Sequence, residues 1–215
     1  VVDAPSKLYE AGARDLGIAR ATGDLIATMD ADDVWEPHHL ATSVAIHEAN
    51  PAIACSFTAA RFLGGPSDGR IQLPRFPAGQ ARDVFDEALR APLGIHPTTV
   101  FNRARLLDAG GYRVGNDHRA PDFDLFLRLA ARYPFACAHA VTVRYRIHAA
   151  QLGAQSALQY RDAWRSRRAL WDGLRQSGDR RAGRAAQVIR SEYRARMWAS
   201  LVAGVVDGLL ETWEH

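Results

Sequence analysis

Leu25-Ile26-Ala27-Thr28-Met29-Asp30-Ala31-Asp32-Asp33-Val34-Trp35-Glu36-Pro37 is the stretch that decides how this chain reads. The apolar run Leu25 to Met29 predicts a short buried strand. It ends in three carboxylates within four residues. Carboxylates this crowded repel one another, and the cluster persists when a cation or hydrogen-bond donors share its charge. One Asp would serve as a helix N-cap, where the helix dipole also favours acids. Three at the mouth of a strand point to a divalent cation and, through it, a diphosphate. Oxygen ligands of this kind suit a hard divalent cation. Pro37 sits at a favoured first-turn position and predicts a helix from Pro37 to Ala49.

Working outward, Pro5 to Ala21 predicts a helix that Gly23 closes. A helix feeding a strand this closely predicts half of a βαβ unit, with the carboxylates at the strand's carboxyl end, where open sheets bind ligands. Downstream, Ile53 to Leu63 and Ile95 to Asn102 predict strands, the second with His96-Pro97-Thr98-Thr99 at its mouth. Arg70 to Phe76 predicts a hairpin return, and Asp83 to Arg90 and Arg103 to Ala109 predict short helices. Gly110-Gly111 stops the second of these before Tyr112. Asp122 to Tyr133 is an amphipathic helix and Ala136 to Ile147 an alternating strand. Gly115 to Ala120 and His148 to Ser156 are loops. The expected fold class is α/β, a mostly parallel sheet flanked by helices.

From Ala157 the character changes. Ala157 to Gln176 and Ala182 to Leu210 predict two long helices joined by Ser177-Gly178-Asp179, with eleven Arg between Arg161 and Arg196. The expected division is a domain over residues 1–156 and an Arg-rich helical extension over residues 157–215. Trp164, Trp171, Trp198 and Trp213 imply that these helices pack on something: this domain, another subunit or a membrane surface. Peripheral membrane association and oligomerisation are the partner modes this suggests.

The chain has 215 residues, a hydrophobic fraction of 47%, a charged fraction of 24% and a formal charge of +3. These are the proportions of a globular protein with a sizeable core. Arg supplies all basic residues but Lys7, a bias that carries no binding signal of its own, and no nucleic-acid partner is expected. Cys55 and Cys137 offer no metal spacing, so a reducing, cytoplasmic location is expected, at the inner membrane face if the terminal helices bind lipid. Met197 to Leu210 is too short, and carries Asp207, for a membrane span. Neither a Gly-rich phosphate loop nor zinc spacing is present.

Two further clusters carry chemistry. In Pro121-Asp122-Phe123-Asp124-Leu125, one Asp serves as a helix cap on the plainer view. On the functional view Asp122, at the helix mouth, is a general base, and Asp124 orients a neighbour or contacts the acceptor. Tyr145-Arg146-Ile147-His148 ends a strand, where His148 could ligate a metal or touch a phosphate. His38-His39 is expected on a solvated helix face.

Three stretches line up, in order, with a known family. Ala13 to Ala19, Thr22-Gly23-Asp24-Leu25-Ile26 and Asp30-Ala31-Asp32-Asp33 with Pro37 resemble the family 2 glycosyltransferases of the GT-A fold. So do His96-Pro97-Thr98-Thr99-Val100-Phe101, Gly110-Gly111-Tyr112 and Asp122 to Leu129, and Tyr145 to His148 with Ser156 is similar to the family's closing motif. The resemblance covers Pro5 to Ser156. It implies inverting transfer of a sugar from a nucleotide-diphospho-sugar donor to a saccharide or other hydroxyl acceptor, with Mn or Mg. It implies Asp122 as catalytic base, and Asp30, Asp32, Asp33 and His148 toward the metal. It puts Arg14, Asp30 and Asp32 toward the nucleotide-sugar, and His96, Thr98 and Asp124 on the acceptor side. Pro121 stands where the family usually has Glu, and the processive QxxRW motif is absent. The family's first nucleotide-binding strand and helix have no counterpart in the sequence, unless Val1-Val2-Asp3 is their remnant. The alternative expectation is therefore a non-catalytic GT-A-like domain that acts as an interaction module.

Overall fold

Strand β3 (Cys55–Leu63) is the spine of the sheet. Its first six residues are all buried, so both faces are covered. The computed structural model describes residues 8–113, 120–148 and 156–202. Val1-Val2-Asp3, most of the loops after Gly115 and after His148, Trp213 and the expected continuation of the last helix to Leu210 lie outside them. The sheet order is β1 (Leu25–Ala27), β5 (Thr99–Asn102), β3, β6 (Phe135–Arg146), β2 (Val34–Trp35), with β4 (Ile71–Gln72) paired to β3.

The expected mostly parallel sheet is corrected here. Among the described residues β3 and β6 run parallel, while β1–β5, β3–β5, β3–β4 and β2–β6 are antiparallel. A short apolar run looks the same in either direction, and the connections decide which way it lies. The sheet is mixed, with helices on both faces.

Residues alternate between faces along β3. Cys55 and Phe57 point to an apolar layer. There Phe57 meets Phe126 with ring centroids 5.1 Å apart, and Phe126 stacks on Phe101 at 5.8 Å. Leu89 of α3 (Phe85–Arg90) and Leu125 and Leu129 of α5 (Pro121–Ala130) complete it. Each fully buried ring or leucine contributes on the order of 2 kcal/mol. Ser56 and Thr58 point the other way, under α2 (His39–Ala49), into a polar layer. His39 Nδ1 and Thr142 Oγ1 are 2.7 Å apart, and Thr142 and Thr58 hydroxyls 2.6 Å. His47 Nε2 lies 3.0 Å from the Val100 carbonyl. Of the pair expected on a solvated face, His38 is exposed and His39 is buried.

The C-terminal helices α6 (Ser156–Gln176) and α7 (Arg181–Val202) close the far side of α5. Leu174, Ala185 and Val188 join the same apolar cluster as Phe57 and Phe135. Arg184 Nε is 2.9 Å from Asp86, which ties α7 to α3. This is why α5 is buried nearly all round rather than along the one stripe its sequence suggests. No helix among the described residues is long and apolar enough to cross a membrane.

Candidate active site

The acidic run follows β1 as a tight turn, with the Asp33 N–H bonded to the Asp30 carbonyl at 3.2 Å. Each carboxylate meets a different partner. Asp30 accepts from Arg14 of α1 (Glu10–Arg20), and Arg14 also bonds Glu10 one turn earlier. Asp32 Oδ2 is 2.9 Å from His148 Nε2, and its carbonyl accepts from Arg146 Nε at 2.9 Å. Asp33 is 5% exposed. Its Oδ1 accepts the Arg146 backbone N–H at 2.8 Å. Its Oδ2 is buried without a hydrogen-bond partner among the described residues. Burial, set against the Arg146 N–H and reinforced by Asp32 and Asp30, pushes the Asp33 carboxyl up to about 6.

Asp122 forms the facing wall. Pro121 starts α5, and the Phe123 backbone N–H donates to Asp122 Oδ1 at 2.8 Å. Burial raises the Asp122 carboxyl above its ordinary value; the Phe123 N–H and the Arg14 charge pull it down and Asp30 pushes it up. Arg14 and Asp30 are thus near enough to couple the two walls. Tyr145, on β6, is pushed up to about 12 by burial and by the surrounding charges of Asp33, Asp30, Asp32 and Asp122.

Glu10, Tyr112 and Arg146 belong to this neighbourhood, though they were not singled out as site residues from the sequence. The Arg14 guanidinium lies 5.7 Å from the Tyr112 ring centroid, and the Tyr112 hydroxyl bonds His96 Nε2. Gly110 and Gly111, with φ of 82° and 58°, turn Tyr112 back toward α1. The positive φ of Gly111 favours glycine, and a Cβ there would stand 2.6 Å from Asp15 Oδ1, whose carboxylate would have to move. Glu10 left one trace in the sequence, its spacing of four from Arg14.

The residues expected on the acceptor side lie in two places. His96 and Thr98 form a buried 3₁₀ turn (His96–Thr98) ahead of β5, at 6% and 1% exposure. Burial, and then Arg14, hold the His96 imidazole well below its ordinary value, so it is neutral. Thr98 Oγ1 donates to the Ile95 carbonyl at 2.6 Å. Asp124 is paired with Arg128 at 2.8 Å and Arg113 at 3.3 Å, away from Asp122. Residues two apart on a helix face different ways. A cavity of about 280 Å³ lies beside Asp124, between α5 and α6.

Among the described residues no group of three His, Cys, Asp or Glu forms a ready-made metal cage. The donor chemistry nonetheless suits a hard cation. Asp33 Oδ2 is a buried, unpartnered oxygen beside two further carboxylates. His148 Nε2 and Asp32 Oδ2 are 2.9 Å apart. An ion with ligands at about 2.1 Å sets neighbouring donors about 3 Å apart.

The sequence profile of Glycosyl transferase family 2 matches residues 1–108. The amylovoran biosynthesis glycosyltransferase AmsE of Erwinia amylovora is 26% identical over 118 residues, 54% of this chain and 42% of that protein. Among solved structures, residues 1–349 of S. aureus TarS in complex with UDP-GlcNAc superpose with a TM-score of 0.65 at 13% identity, over 92% of this chain and 57% of that one. A mannosyltransferase from Pyrobaculum calidifontis in complex with GDP-Man and Mn²⁺ gives 0.54 at 16% identity, over 94% and 60%. These two likenesses show the fold, which is GT-A-like. The chain thus spans less than two thirds of each of these proteins. The profile match covers half of the sequence and holds the whole acidic turn, and on it the chain belongs to glycosyl transferase family 2.

Proposed function

We propose that this chain carries the transfer centre of a glycosyltransferase that moves a sugar from a nucleotide-diphospho-sugar to an acceptor hydroxyl with inversion. The observation that carries the reading is the coupling of Asp122 to the Arg14–Asp30 pair and the acidic turn, two walls of one site. Asp122 takes the acceptor proton as the acceptor oxygen attacks the anomeric carbon. The bond from that carbon to the diphosphate oxygen breaks on the opposite face, and the nucleoside diphosphate leaves. A raised carboxyl makes Asp122 a stronger proton acceptor than an ordinary Asp. Arg14, already shared between Glu10 and Asp30, supplies positive charge beside the donor.

Asp33, with Asp32, Asp30 and His148, would hold the Mn or Mg ion, whose charge offsets that of the departing diphosphate. Oxygens of the donor diphosphate would complete the coordination, so that cation and donor bind together. The Mn²⁺ and GDP-Man of the Pyrobaculum complex, and the UDP-GlcNAc of the TarS complex, suggest the donors to try first.

The test is product analysis on the full chain, with UDP-GlcNAc or GDP-mannose, Mn²⁺ and simple sugar acceptors. The anomeric proton of the product, read by NMR, should show inversion. Asp122→Asn should lower turnover by roughly 100-fold or more. Near-wild-type turnover in that variant would overturn the assignment of the base. A chain that binds neither donor would point to an interaction module instead.

A further inference from the structure

Arg167 is a charge placed inside the protein, 3% exposed on α6. A buried guanidinium persists when its donors are filled and its faces are covered. Here Nε donates to the Leu89 carbonyl at 2.6 Å and Nη2 to the Arg90 carbonyl at 3.3 Å, both in the last turn of α3. The guanidinium carbon lies 4.4 Å from the Phe123 ring centroid and 5.2 Å from that of Trp164. Lysine could reach a carbonyl but has no flat face to lay on a ring.

Phe123 is the neighbour that gives this cluster a function. It is 5% exposed, and its backbone N–H is the donor that holds Asp122 Oδ1 at 2.8 Å. Contacts therefore run from the α3 carbonyls through Arg167 and the Phe123 ring to the carboxylate at the site. Without such a clamp the first turn of α5 would be free to fray, because its N–H groups have no partners within the helix.

We propose that Arg167 is a positioning residue for the transfer reaction, and that α6 holds the catalytic carboxylate in register through Phe123. The inference rests on Asp122 being the base. It gives the C-terminal helices a part in the chemistry, acting through the packing of one arginine on one ring.

Two variants of the full chain test it. Arg167→Lys keeps a donor for the Leu89 carbonyl and loses the planar cover on Phe123; Arg167→Met loses both. In each, hydrogen exchange at the Phe123 amide, read by NMR, should accelerate about tenfold or more, while exchange at Leu127 and Leu129 stays as in the wild type. With UDP-GlcNAc or GDP-mannose and Mn²⁺, kcat should fall on the order of tenfold or more with donor Kd unchanged. Wild-type Phe123 exchange in Arg167→Lys overturns the proposal. So does protection lost evenly along α5, the mark of a merely structural role, or kcat and donor affinity falling together. Should Asp122→Asn keep wild-type turnover, the base assignment fails. The exchange measurement still reports whether Arg167 holds the turn, so the two failures are distinguishable. If the chain turns over neither donor, the exchange result decides.

Discussion

Asp33 carries the cost of this site at the scale of a single residue. Its carboxyl, ordinarily near 3.8, is raised to about 6, which corresponds to roughly 3 kcal/mol against ionisation in the fold. Because the folded value lies above the unfolded one, the stability tied to the neutral form is present below about pH 4. It is lost as pH rises through about 6. Asp33→Asn should therefore raise the Tm of the metal-free chain at pH 8, and the gain should vanish near pH 4. Thermal melts at the two pH values check this; an equal gain at both would contradict it. Asp122 is raised as well, so the acid limb of activity should lie higher than an unperturbed Asp would set it, a shift that a pH–rate profile would show. The carboxylates were legible in the sequence because residue type and spacing carry their chemistry. Glu10 and Tyr112 were not, because they reach the site through α1 and a glycine turn. Asp124, expected to orient a neighbour or contact the acceptor, pairs with Arg128 on α5 and Arg113 in the preceding loop.

At the scale of elements, α2 packs with its polar stripe inward. His39, Ser43 and His47, spaced by four, face the sheet, while Leu40 and Val44 are 49% and 39% exposed. Such a helix offers both an apolar and a polar stripe, and the partner surface chooses between them. Here that surface is Ser56, Thr58, Thr98 and Thr142, all buried. The layer is incompletely paired: Ser43 Oγ, Thr99 Oγ1 and His39 Nε2 have no hydrogen-bond partner. A buried unpaired hydroxyl is a penalty. Ser43→Ala should thus be neutral or stabilising by about 1 kcal/mol in urea denaturation. A clear loss of stability would show that the hydroxyl is bonded. Most helices and strands are legible in the periodicity, with ends off by a few residues, whereas the two-residue strand β2 is too short to leave a pattern. Strand direction is not legible, since β1, β3 and β5 carry similar apolar runs and connections set their sense.

At the scale of the whole molecule, the C-terminal helices share one core with the sheet. Leu174 of α6 belongs to the cluster that holds Phe57 and Phe135. Leu174→Ala should cost about 3 kcal/mol. Unfolding followed by tryptophan fluorescence, which reports Trp164 and Trp171 of α6, should coincide with unfolding followed by circular dichroism. Two separate transitions would mean that the helices stand apart. The account as a whole turns on whether the acidic turn grips a donor through a cation. Calorimetric titration of UDP-GlcNAc and GDP-mannose, with and without Mn²⁺, tests it most directly on wild type, Asp33→Asn and Asp122→Asn. The account predicts that a donor binds the wild type only with Mn²⁺, that Asp33→Asn abolishes binding and that Asp122→Asn keeps it. Binding that ignores Mn²⁺, or survives in Asp33→Asn, or is absent for both donors, would contradict it.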